Sequence, residues 1–273
     1  MLSACSLVRL AYEQAPTLAY WWLDSYADFN DAQAPQVHAA IDRWFAWKRR
    51  TQLPAYADWL ARLQTEMLAD TTPERVCAQW SEVRQRLEPL FEQALPDLAE
   101  IAAGLTPQQL QHIARKLETS NQSFREEYVD SDLLRRQQAA LKRTRDRAET
   151  LYGTLNTAQV ELLRRGLARS TFDPEAWAIE RKLSQQEALQ RLTTLAASKP
   201  DRQAAQAVVR ELWQRMLRSP REDYRRYAER LTQSNCALYA ELHNATTGVQ
   251  RQAAARKLQG WEGDLRALAA PPS

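Results

Sequence analysis

The chain has 273 residues, 37 of them basic and 34 acidic, for a formal net charge of +3. That length can bury a sizeable core, and so small a charge gives no electrostatic reason to bind a polyanion. Mean hydropathy is -0.60, and no apolar run approaches the ~20 residues that a membrane-spanning helix needs.

The composition favours an all-α fold. Six glycines are few, and the abundant Leu, Ala, Arg, Gln and Glu lose little on entering a helix. No alternating Val/Ile/Thr run of strand length occurs.

The opening Leu2-Ser3-Ala4-Cys5 has the form of a bacterial lipobox, an apolar residue and two small ones ahead of a cysteine. A complete secretory signal carries a basic segment and an apolar stretch of ~7–15 residues before its cleavage site. Only Met1 to Ala4 precede Cys5, so the tetrapeptide is either a chance opening of a cytosolic protein or the end of a signal that begins upstream. On the second reading, residues 1–5 are a lipobox remnant and Cys5 is the lipidated mature N-terminus. Acyl chains contribute ~0.8 kcal/mol per buried methylene, and two of them anchor a polypeptide stably. Ser6 stands where an aspartate often signals inner-membrane retention in enteric bacteria, which points to the outer membrane and leaves the inner one open.

Helix starts are marked by proline after a capping residue. Thr72-Pro73, Thr106-Pro107, Asp173-Pro174 and Ser219-Pro220 read this way, and Pro54 and Pro200 are expected to open helices too. The predicted helices are 17–29, 36–50, 54–69, 73–93, 107–118, 120–129, 131–153, 157–169, 174–197, 200–218, 220–245 and 248–268. No low-complexity linker divides 6–270, which is expected to form one domain, a multi-helix array of antiparallel helical hairpins. Six of the nine tryptophans precede residue 81, so an aromatic-rich subregion, 6–93, is expected to dock on longer and more polar helices, 94–270.

Near the start, Leu18, Trp22, Tyr26 and Phe29 fall on one side of a helix, and Asp24, Asp28 and Asp31 on the other. This predicts an amphipathic helix whose acidic face is solvated or paired with Arg43, Arg49 or Arg50. In Trp44-Phe45-Ala46-Trp47-Lys48-Arg49-Arg50 the basic residues are expected at a helix C-terminus, where they oppose the helix dipole. Trp44 and Trp47 are spaced as core neighbours. The most basic stretch holds Arg135, Arg136, Lys142, Arg143, Arg145 and Arg147. It is expected to be a solvated helix, with anionic headgroups as alternative contacts if the protein is tethered at a membrane. Toward the C-terminus, Tyr224, Tyr227, Leu231, Leu238 and Leu242 form a core-facing stripe.

Leu105-Thr106-Pro107-Gln108-Gln109-Leu110 and Leu155-Asn156-Thr157-Ala158-Gln159-Val160 look alike. Each fits a capping box, the Thr or Asn capping the helix and the Gln reaching back, inside a hydrophobic staple. The first also resembles the L-T-x-x-Q motif of small periplasmic helical chaperones of the Spy and CpxP type, and the second does so with Asn for Thr.

With Cys5 lipidated, Cys77 and Cys236 remain as an even pair. A disulfide between them and two free thiols are both open. Cys77 sits among Val76, Trp80 and Val83, while Cys236 lies away from the Leu231/Leu238 stripe, toward a second contact or solvent. No metal spacing links His38, His112 and His243. Cys236 and His243 are two turns apart, ~10 Å along a helix, too far for thiol activation. No glycine-rich phosphate loop occurs, and neither cofactor nor metal is expected.

Taken end to end, "LSACSLVRLAYEQAPTLAYWWLDSYADFND", "FDPEAW" and "YAELHNATTGVQRQAAARKLQGWEGDLRAL" resemble an uncharacterised family of predicted lipoproteins of Gram-negative bacteria. The resemblance implies a signal sequence, a lipidated Cys5 and a helical periplasmic body, with no catalytic residues to carry over. The expected function is a non-catalytic binding or scaffold protein, chaperone-like, anchored by acyl chains and serving envelope proteins, with no role for nucleic acid. An envelope hydrolase with an acid pair not visible in one sequence, and a cytosolic helical adaptor, are the alternatives.

Overall fold

A computed structural model describes residues 7–130 and 132–270. Among these residues there are eleven α-helices and no strand: α1 (Leu7–Ala27), α2 (Ala34–Glu66), α3 (Pro73–Gln85), α4 (Leu87–Ala103), α5 (Pro107–Tyr128), α6 (Leu133–Tyr152), α7 (Thr157–Ala168), α8 (Pro174–Ser198), α9 (Arg202–Leu217), α10 (Glu222–Asn244) and α11 (Gly248–Ala269). None is long and apolar enough to cross a membrane. Cys5 lies outside the described residues.

The helices pair in a nested order. α2 packs on α11, α3 on α10, α4 on α9 and α5 on α8, while α6 and α7 form the turnaround. Each pair is antiparallel, as its cross-links show. Asp58 meets Arg266 at 2.9 Å and Gln64 meets Glu262 at 2.6 Å along α2/α11. On α3/α10, Cys77 is disulfide-bonded to Cys236, with Cα atoms 5.5 Å apart. Glu92 takes a two-pronged bond from Arg210, 2.9 Å on each side, across α4/α9, where Phe91 also stacks on Trp213. Asn121 is held by Gln185 and Arg181 across α5/α8. The chain thus runs out along one row of helices and returns along a second.

Among the described residues three apolar clusters make up the core, one of them Ala27, Leu105 and Leu110. Phe91, Leu95, Ala99, Leu195, Ala205 and Val209 join α4, α8 and α9. Ala148, Tyr152, Leu163, Leu238, Leu242 and Ala254 join α6, α7, α10 and α11. Each fully buried leucine contributes roughly 1.5–3 kcal/mol. Gly166 permits the close approach of α7 to α10, since a Cβ there would sit 2.2 Å from Leu238 Cδ1.

The capping boxes do more than start helices. Thr106 with Gln109 and Asn156 with Gln159 make the reciprocal bonds read from the sequence, and Thr247 with Gln250 makes a third set. Asn30 and Gln33 exchange the same pair of bonds just ahead of α2. These four turns then lock together in twos. The Gln159 amide donates to Gln250 Oε1 and to the Ala245 carbonyl, and the Gln250 amide donates to Gln159 Oε1 and to the Thr154 carbonyl. Gln109 and Gln33 repeat the arrangement with the Asp28 and Gly104 carbonyls. Buried amides are thereby fully used, as interior polar groups must be.

Several expected boundaries move. The predicted helices 36–50 and 54–69 are one helix, α2, with Pro54 inside it. An interior proline costs about 3 kcal/mol, offset here by continuous burial of Leu53, Ala57 and Leu60. The predicted 73–93 breaks at Arg86, and α4 continues through Pro96. The predicted 107–118 and 120–129 are both part of α5. Ser219 does not cap, because α10 starts from Arg221, and Asp201 rather than Lys199 caps α9. Thr72, Thr106 and Asp173 cap as expected, each with proline next.

Candidate functional site

The sequence places a cation where packing would call for an apolar group. On α2, Val37, Ile41, Trp44 and Phe45 recur at helical spacing, and Lys48 is the next position of the same stripe. Because α2 runs on to Glu66, Lys48 and Arg49 stand in mid-helix, not at a helix C-terminus, and dipole compensation does not explain them. The Lys48 ammonium lies 5.1 Å from the Trp44 ring centre, 5.5 Å from Tyr12 and 5.7 Å from Phe45. The Arg49 guanidinium lies 5.6 Å from the Tyr12 ring. Cation–π attraction partly replaces the water that Lys48 loses, and burial lowers its pKa.

These rings wall one end of a groove between α1, α2 and α4, with a volume of about 410 Å³. Its apolar lining includes Ala19 and Leu23 of α1, Val37 and Ile41 of α2, and Leu98 and Ile101 of α4. It exists because α1 turns its small side chains inward. Tyr12, Ala15, Ala19 and Leu23 form the inner stripe, and alanines leave space that larger residues would fill. The bulky residues face outward: Leu18, Trp21 and Trp22 are 54%, 63% and 62% exposed. This corrects the expected apolar side of the first helix, which had Leu18 and Trp22 facing the core.

The expected acidic face is also absent as such. α1 ends at Ala27, Asp28 takes a left-handed conformation, and Asp24 folds back to accept from the Phe29 amide. Arg43 pairs with Asp97 at 2.7 Å instead.

Among the described residues Lys48 makes no salt bridge; the one carboxylate in the lining, Asp97, is taken by Arg43. Burial raises the Tyr12 pKa, against the lowering effect of Arg49, so the phenol keeps its proton. One end of the groove thus offers an ammonium, and the rest offers hydrocarbon. The Trp44 indole N–H is spent on the Leu90 carbonyl at 2.9 Å, which fixes the ring.

A second pocket, about 270 Å³, lies between the C-terminal end of α2 and helices α3, α6 and α10. Its buried His243 accepts from Tyr152 at Nδ1 and donates from Nε2 to the Ala69 carbonyl, both at 2.8 Å. With both ring nitrogens committed, the histidine holds structure together. Cys236, on the same helix, is 3% exposed and tied to Cys77. The second contact left open for it is therefore α3. No group of three or more His, Cys, Asp or Glu side chains among the described residues could hold a metal ion.

The basic stretch falls on α6 and is largely engaged within the chain. Arg135 lies 3.8 Å from Asp132, and Arg136 donates to the Val129 carbonyl. Lys142 pairs with Asp146, and Arg143 with Glu127. Arg145 lies near Asp146 and Glu149, and Arg147 lines the second pocket. The stretch does not converge on one anion site.

The sequence hides the groove because it predicts that helix 36–50 ends at Arg50, whereas α2 runs on to Glu66. The available signal was a lysine continuing an apolar stripe.

Nested helix pairs, interlocked capping turns, a disulfide and a lateral apolar groove together define an all-α helical protein. The chain belongs to the family of unknown function DUF6279, whose model matches residues 25–225. No curated protein and no solved structure matches significantly.

Proposed function

We propose that this chain is a non-catalytic binding protein of the Gram-negative envelope, held at a membrane by acyl chains on Cys5, whose groove between α1, α2 and α4 takes up apolar groups. The groove carries the reading, because at a volume of about 410 Å³ it is lined almost wholly by apolar side chains from three helices, as ligand sites are. The exposed Leu18, Trp21 and Trp22 on the outer side of α1 add an apolar contact surface. The Cys77–Cys236 bond supports an oxidising compartment. Leu2-Ser3-Ala4-Cys5 supports the lipid anchor, and Ser6 supports the outer membrane.

A chaperone-like role for envelope clients rests on the L-T-x-x-Q resemblance. The capping turns that carry this motif are used here to lock helix ends, so the apolar groove, and not the motif, would meet a client.

Two measurements test the proposal. The full gene expressed in a Gram-negative host yields a membrane-associated product whose mature N-terminal peptide carries diacylglycerol on Cys5. An unmodified chain in the soluble cytoplasm overturns the anchor. The purified chain enhances the fluorescence of the neutral probe N-phenyl-1-naphthylamine, and Ala19→Trp, which fills the groove from α1, removes the enhancement. No enhancement, or enhancement indifferent to Ala19→Trp in a folded variant, overturns the groove.

A further inference from the structure

The groove is chemically asymmetric, and the asymmetry specifies what fits. Hydrocarbon lines it from Leu23 and Ile41 to Leu98 and Ile101. At the aromatic end the half-buried Lys48 ammonium has no carboxylate partner among the described residues. A desolvated charge without a counter-ion is costly. An incoming group with acceptor oxygens and one negative charge would satisfy it. Phosphate is a poorer match, since one ammonium leaves part of its charge unmet.

From these features we propose that the groove binds a fatty acid, its carboxylate on Lys48 Nζ and its aliphatic chain lying between α1, α2 and α4. This rests on the reading of the groove as a binding site and adds the ligand class. The remaining charges around the head are accounted for. The Arg49 guanidinium, 5.6 Å from the Tyr12 ring centre, adds to the positive field, and Asp97 is neutralised by Arg43. A carboxylate near Lys48 also gains because that ammonium is already short of water, and charge-assisted hydrogen bonds strengthen where water is scarce.

The test is calorimetric titration of the full chain, with the Cys77–Cys236 disulfide formed, using dodecanoate, dodecanol and acetate as probes. Dodecanoate is expected to bind one per chain, dodecanol at least about tenfold more weakly, and acetate not measurably. Lys48→Met is expected to weaken dodecanoate about tenfold or more, the loss of one charge-assisted hydrogen bond, and to leave dodecanol unchanged. Lys48→Arg retains binding. Circular dichroism and a thermal melt accompany each variant. Equal binding of dodecanoate and dodecanol, or indifference to a folded Lys48→Met, transfers the groove to a neutral occupant and overturns the fatty-acid assignment. Binding of N-phenyl-1-naphthylamine without dodecanoate binding overturns this assignment alone. Failure of both ligands to bind overturns the groove as well.

Discussion

Tyr152 donates its hydroxyl proton to Nδ1 of His243 across 2.8 Å, because Nε2 of that ring is already donating to the Ala69 carbonyl. The contact ties the end of α6 to α10 and to the turn after α2. Tyr152→Phe removes the donor and leaves Nδ1 buried and unsatisfied, and a destabilisation of about 1–3 kcal/mol by urea unfolding is expected. Full stability in that variant would show that the bond is dispensable.

The same tyrosine titrates late. Burial pushes the Tyr152 phenol up to about 12, against the lowering effect of Arg251, and Tyr224 likewise reaches about 12, mainly by burial. A phenol raised in the folded state contributes stability that is whole below its ordinary value of 10.0 and is lost as pH climbs toward about 12. Ultraviolet difference titration is expected to show a late-ionising fraction of tyrosine that coincides with alkaline unfolding. All tyrosines titrating near pH 10 with the fold intact would contradict this.

In acid the sensitive link is Arg221 with Glu180, joined at 2.6 and 2.9 Å, with Ser184 and Glu187 sharing the guanidinium. Burial alone would raise the pKa of Glu180, but its bonds to Arg221, Ser219 and Ser184 outweigh that and lower it. Its contribution is therefore present above the ordinary value of 4.5 and is lost as pH falls below it. Glu180→Gln is expected to cost roughly 2–3 kcal/mol at pH 7, less than the ~3–5 of a fully enclosed pair because Arg221 is partly exposed. It is also expected to flatten the acid limb of the stability profile; an unchanged acid limb would assign it elsewhere.

The two interlocked turns act as units. Gln159→Ala opens its own capping box, cuts both bonds to Gln250 and leaves the Ala245 carbonyl without its donor, so a loss of about 2–4 kcal/mol is expected. A double-mutant cycle with Gln250→Ala is expected to give a coupling of about 1 kcal/mol or more, since each variant alone already breaks the shared bonds. Simple additivity would mean that the turns start their helices independently.

Cys77 and Cys236 are 159 residues apart in sequence. Closing so long a loop restricts the unfolded chain strongly, and the double variant Cys77→Ser/Cys236→Ser is expected to lose about 2–5 kcal/mol. Thermal melts with and without reductant check this, and reductant should not affect the double variant.

Much of the helical layout was legible because capping chemistry is local. Thr72, Thr106, Asn156 and Asp173 each cap with their own side chain, and the sequence states this within four residues. The misjudged sites are those where distant packing overrides a local rule. Pro16, Pro54 and Pro96 all lie inside helices, and only the continuous burial of neighbours such as Leu53 and Leu60, or Leu95 and Ala99, outweighs the lost backbone bond. The nested pairing was not legible. Periodicity shows which side of α2 is apolar but not that α11 covers it. The groove was hidden for a related reason: alanines at 15 and 19 fit a tight helix contact and an open space equally well until the neighbouring helices are placed.

The union of α2 with α11 joins segments far apart in sequence, Asp58 and Arg266 being separated by 208 residues. Whether the chain emerges from a ribosome or threads through a translocase, α2 must wait, its sticky flank uncovered, until α11 has followed. Maturation therefore waits on long-range closure, which sets its pace. A nascent chain stopped short of Gly248 would remain a substrate for holdases and proteases.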